Sequence, residues 1–77
     1  MRVLDTIPHP HCKITIFYMN EKYVLKFEIG QYEQTYKFDV EDVGSIEALK
    51  QKVTSDFVDE VIAIFYTMRS LIISFEK

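Results

Sequence analysis

The sequence predicts an α+β fold: an antiparallel meander of three strands, or four, followed by one long C-terminal helix packed on one face of the sheet. Three observations predict it. Apolar residues recur with period two from residue 11 to 40. Asn20-Glu21 and Gly30-Gln31 interrupt that stretch at hairpin spacing. From Ile46 onward the apolar period becomes helical.

Seventy-seven residues make a single domain, 1–77. A core of this size supplies only about 3–5 kcal/mol unless something staples it. One cysteine, Cys12, excludes an intrachain disulfide. Dense packing, a metal or a partner chain remains. With 48% hydrophobic and 14% aromatic residues, the chain is too apolar to be a disordered segment.

Residues 1–10 read as a leader, or as a short edge strand on Arg2-Val3-Leu4, since Pro8 and Pro10 cannot donate to a ladder. The meander occupies 11–40. Cys12, Ile14, Ile16 and Tyr18 alternate with Lys13, Thr15, Phe17 and Met19. Tyr23, Leu25, Phe27 and Ile29 then alternate with Val24, Lys26 and Glu28. Tyr32, Gln34, Tyr36, Phe38 and Val40 follow, opposite Glu33, Thr35, Lys37 and Asp39. Asn20 tolerates the positive φ of a type I′ turn, and Gly30-Gln31 suits type II′. Both turns as two-residue loops align three inner-face rows: Tyr18-Tyr23-Phe38, Ile16-Leu25-Tyr36 and Ile14-Phe27-Gln34. A slip of one residue in either hairpin destroys that match.

Glu41–Ser45 is read as the crossover, with Ser45 as N-cap and Glu47 in the first turn. The helix is placed at 45–76, either continuous or kinked where Thr54-Ser55-Asp56 offers a second cap. A straight helix of that length spans roughly 45 Å, against roughly 27 Å for an eight-residue strand, so it overhangs its sheet. It also carries two apolar stripes. One runs through Ile46, Leu49, Val53, Phe57, Val61, Ile64, Met68, Leu71 and Phe75 and is assigned to the sheet. The other, through Val58, Ile62, Phe65 and Ile73 with Arg69 beside it, is assigned to an interface. A helix apolar nearly all round needs cover on more than one side, and a second copy of the chain is the simplest cover. Arg69 either meets a carboxylate across that interface or snorkels to water.

Charge and motifs bound the function. Nine Lys and Arg against twelve Asp and Glu give a net charge of −3, and no basic run advertises nucleic acid. The N-terminus lacks the layout of a signal peptide. Asp59, Glu60 and Arg69 oppose a membrane span over 57–75. A lone free thiol fits a reducing, cytoplasmic setting.

His9, His11 and Cys12 form the densest set of metal-capable groups. In an extended segment the two imidazoles share a side and the thiol faces the core, so local ligation stops at two groups. The plainer reading is two solvent-facing histidines and a core cysteine. Nucleophilic chemistry at Cys12 requires a base and a lowered pKa, and His11 projects the wrong way. The carboxylates Glu28 and Glu33, and Asp56, Asp59 and Glu60, read as solvated faces. Tyr18, Tyr23, Gln34 and Tyr36 share the inner face. They either line a small ligand cavity or pack with their hydroxyls at the sheet margin.

The outer face carries Lys13, Lys22, Lys26 and Lys37 around Phe17, Met19 and Val24, the pattern of a single-stranded nucleic-acid platform. A meander with a dimerising helix is also similar in outline to a class of single-stranded-DNA-binding coactivators, although the sequence has none of their motifs. Glu28, Glu33 and Asp39 on the same face, and the acidic balance, oppose it. There is no phosphate-cradling glycine loop, CxxC or HExxH, and no cofactor is expected. The sequence thus favours a non-catalytic homodimeric interaction module. A nucleic-acid binder and a metal or thiol site are the alternatives.

Overall fold

The computed structural model describes residues 1–76. Four antiparallel strands, β1 (Arg2–Ile7), β2 (Lys13–Met19), β3 (Lys22–Ile29) and β4 (Tyr32–Asp39), lie in the sheet in chain order. A one-turn helix α1 (Val40–Val43), a short helix α2 (Ile46–Lys52) and a long helix α3 (Ser55–Glu76) follow.

The hairpins have the expected register. Tyr18 pairs with Tyr23 and Met19 with Lys22, and both loop residues hold positive φ, 51° at Asn20 and 61° at Glu21. Ile29 pairs with Tyr32 around Gly30 at φ 59°. All three inner-face rows form: Tyr18-Tyr23-Phe38, Ile16-Leu25-Tyr36 and Ile14-Phe27-Gln34.

The first segment is the four-stranded alternative. Arg2–Ile7 pairs with β2 over its whole length, with a register shift between Val3 and Asp5. Pro8 and Pro10 fall just beyond it, where no ladder donor is required. The shift turns Asp5 toward the helical layer, where its carboxylate accepts from the Lys50 ammonium on α2.

The helical region is divided rather than continuous. Ser45 Oγ accepts from Ala48 N–H at 3.1 Å and starts α2. The chain leaves the helix at Val53, and Thr54 Oγ1 accepts from Phe57 N–H at 3.2 Å to start α3. A β-branched pair, Val53-Thr54, places a capping hydroxyl where a continuous helix requires a backbone bond, and the cap wins.

One buried cluster lies between the sheet and α2–α3, with Ile14, Ile16, Leu25, Phe27 and Leu49 at its centre and Val58, Val61 and Phe65 from α3 above them. Phe27 meets the rings of Tyr36 and Phe57 at 6.1 and 5.9 Å. A polar tie fixes the helix over β4. Buried Gln34 donates from Nε2 to the Val61 carbonyl at 2.9 Å and accepts from the Tyr36 hydroxyl. The outer face also has a covered centre: Val24 and Thr15 are buried beneath their neighbours. Thr15 Oγ1 is the buried side-chain polar atom without a partner among the described residues.

Candidate functional site: the exposed end of α3 and its groove

Twenty-two residues of helix are roughly 33 Å long. Burial along α3 ends at Met68, and residues 69–76 are exposed throughout. That leaves roughly 12 Å of helix beyond its own sheet. This stretch is apolar: Leu71 is 65% exposed, Ile73 46% and Phe75 86%.

The two stripes exchange roles along the helix. The sheet-facing line runs between them, through Val58, Val61 and Phe65, with Phe57, Ile62 and Met68 half-buried at its margins. Val58 and Phe65, expected at an interface, lie in the chain's own core. The expected interface therefore has to be revised. Ile62 and Arg69 flank a groove, and only Ile73 projects freely among the apolar members of the set. Conversely, the stripe assigned to the sheet is only partly covered after Val61: Met68 still packs half-buried against the core, and cover ends there. Ile64, Met68, Leu71 and Phe75 recur at 4-3-4 spacing, the spacing of a coiled-coil seam. Ile64 on this line is already 47% exposed. Periodicity revealed both stripes, but a seam of period 3.5 drifts around a straight helix of period 3.6. The sheet covers one end of the first stripe and releases the other.

On the opposite flank, where α3 passes over the end of the sheet, a half-open groove of about 400 Å³ forms. Ile29, Ile62 and Phe65 line it as apolar wall. Tyr32, Tyr66, His11 and Arg69 supply its polar groups. No carboxylate among the described residues lines it. Among the described residues no Asp or Glu lies within ion-pair distance of Arg69, all the ion pairs being made by lysines.

Of the inner-face tyrosines and Gln34, read as either cavity lining or packed rings, Tyr23 and Gln34 are buried, Gln34 and Tyr36 bond to each other, and Tyr18 lies beneath the Arg2 guanidinium at 5.9 Å. Tyr32 and Tyr66 are the tyrosines that meet at a groove. Tyr66 carries no local signal of this role, because its neighbours in sequence are helical and the groove residues it meets from the sheet side, His11, Ile29 and Tyr32, are more than thirty positions away.

At the N-terminal loop, His11 N–H donates to His9 Nδ1 at 3.1 Å and the rings lie edge-on at 5.9 Å. That bond occupies one of the two nitrogens His9 has for a metal. Cys12 is buried on the core side, and burial pushes its thiol pKa up, away from thiolate chemistry. Among the described residues no three His, Cys, Asp or Glu side chains converge to hold a metal ion.

On the outer face two of the four lysines are engaged. The Lys22 ammonium bonds Asp39, and Lys26 contacts Glu33 at 3.0 Å and Glu28 at 3.9 Å. Bonding to these carboxylates raises both lysine pKa values and offsets charge that a phosphate backbone requires. No described helix is long and apolar enough to cross a membrane.

The chain is thus a four-stranded meander with helices on one face. No family model matches it, and neither a curated protein nor a solved structure does.

Proposed function

We propose that the protein is a non-catalytic interaction module that pairs with a second copy of itself through the exposed end of α3. The observation that carries this reading is the seam Ile64-Met68-Leu71-Phe75, which continues off the sheet onto unsupported helix. An isolated helical end of this length is marginal in water. A matched seam stabilises both helices by covering apolar surface on each. A monomer gains nothing by presenting Phe75 and Leu71 to solvent, whereas a symmetric pair removes both from water twice over. The buried free thiol at Cys12 supports a reducing, cytoplasmic setting.

Sedimentation velocity of the wild type, Leu71→Asp and the control Thr67→Asp tests the reading. The wild type and the control sediment as dimers. Leu71→Asp, altered at an exposed residue that leaves the core untouched, sediments as a folded monomer. A wild type that stays monomeric at high micromolar concentration removes the proposal.

A further inference from the structure

The groove beneath α3 carries an inference that is independent of pairing, because it opens on the flank of the helix away from the seam. Its volume of about 400 Å³ lies within the range of small-molecule sites. Its wall is apolar, from Ile29, Ile62 and Phe65. One permanent cation, Arg69, stands at its rim without a carboxylate partner among the described residues, in a chain whose net charge is −3. Lys22, Lys26 and Lys50 are paired with acids, whereas Arg69, like the exposed Arg2, Lys13, Lys37 and Lys52, has no ion pair among the described residues; of these five, Arg69 is the one that lines the groove. Tyr32 and Tyr66 bring two more hydrogen-bonding groups to the same opening, and neither hydroxyl bonds to another side chain or to backbone among the described residues.

An apolar trough with a planar, forked cation at one end is complementary to an amphipathic carboxylate. The hydrocarbon displaces water from the wall, and the two carboxylate oxygens match the two N–H groups of one guanidinium edge. We propose that this groove binds a small organic acid with an apolar body, such as a medium-chain or aryl carboxylate, with its headgroup on Arg69. A phosphate lacks the apolar body, and a neutral alcohol of the same length lacks the charge, so the two halves of the recognition separate experimentally.

The test is a two-dimensional NMR titration of the full chain with sodium octanoate, octanol and inorganic phosphate, on the wild type, Arg69→Gln and Leu71→Asp. Saturable octanoate shifts are expected at the amides of Ile29, Tyr32, Ile62 and Arg69. Octanol and the Arg69→Gln chain each bind roughly tenfold to a hundredfold more weakly, the loss expected for a charge-assisted hydrogen-bonded pair. Phosphate gives no saturable shift. Leu71→Asp, whose substitution lies on the other flank, binds octanoate as the wild type does even if pairing is lost, so failure of the seam and failure of the groove are read separately. Absence of saturable octanoate shifts, equal binding of octanoate and octanol, or equal binding by Arg69→Gln overturns the proposal. Groove shifts that appear on changing protein concentration alone also overturn it, because a second copy then fills the groove.

Discussion

Gln34→Ala tests the tie that aims α3. Gln34 is 8% exposed in the inner row between Phe27 and the helix. Its Nε2–H to the Val61 carbonyl, at 2.9 Å, is the side-chain hydrogen bond from the sheet to α3 among the described residues. Its Oε1 satisfies the Tyr36 hydroxyl. The substitution deletes both bonds, at about 1 kcal/mol each, and one buried methylene, at about 0.8 kcal/mol. The sum is roughly 3 kcal/mol, most of what a core of this size supplies. Gln34→Leu loses the same two bonds but restores apolar volume. The Val61 carbonyl keeps its bond within the helix and the half-buried Tyr36 hydroxyl turns to water, so its cost is about 1 kcal/mol. Urea denaturation followed by far-ultraviolet circular dichroism gives both values, at a protein concentration held fixed because pairing adds to apparent stability. If Gln34→Ala lies within about 0.5 kcal/mol of the wild type, the tie does not hold the helix and the reasoning is refuted.

Three further outcomes follow from single contacts. Thr15→Val removes the unpartnered Oγ1 at nearly constant volume in a strand and stabilises the chain by about 1 kcal/mol in the same urea assay. Thr54→Ala deletes the hydroxyl that receives Phe57 N–H and costs about 1 kcal/mol, with α3 frayed at its start by amide exchange. Cys12, whose burial raises its thiol pKa, resists iodoacetamide at pH 8 more than a free thiol does. A raised folded-state value favours the neutral form, so its contribution is complete below the unfolded pKa and is lost as pH climbs through the folded one. Stability therefore falls on the alkaline side more steeply in the wild type than in Cys12→Ala.

The sheet was legible because two independent signals agreed. Alternation fixed which residues share a face, and Asn20 and Gly30 fixed where the chain turns, so all three rows of cross-strand partners followed without coordinates. The length of β1 was less legible. Val3-Leu4-Asp5-Thr6 does not alternate, because the register shift between Val3 and Asp5 breaks the period. The Asp5–Lys50 pair depends on that shift and has no signature in the local sequence.

In the helical region sequence showed two apolar stripes and a capping signal at Thr54, but not which stripe meets the sheet. That choice is tertiary. The break at Val53 sets the direction in which α3 departs, Gln34 then holds Val61 over β4, and the two contacts together bury Val58 and Phe65. The groove was not legible for the same reason. His11, Ile29, Tyr32, Tyr66 and Arg69 come from the loop before β2, the ends of β3 and β4 that flank the second turn, and the middle of α3, and no local pattern joins them. The metal-capable trio illustrates the opposite error. His9, His11 and Cys12 are adjacent in sequence, yet backbone alternation sends the thiol to the core and a backbone N–H takes one nitrogen of His9.

The account stands on the claim that the end of α3 is covered in solution by another copy of the chain. Amide hydrogen exchange of residues 70–76 across a hundredfold range of protein concentration measures this directly. Protection that rises with concentration, and that Leu71→Asp abolishes while the β2–β3 amides stay protected, is the predicted result. Exchange at peptide-like rates at every concentration, or full protection in a chain that sediments as a monomer, contradicts it.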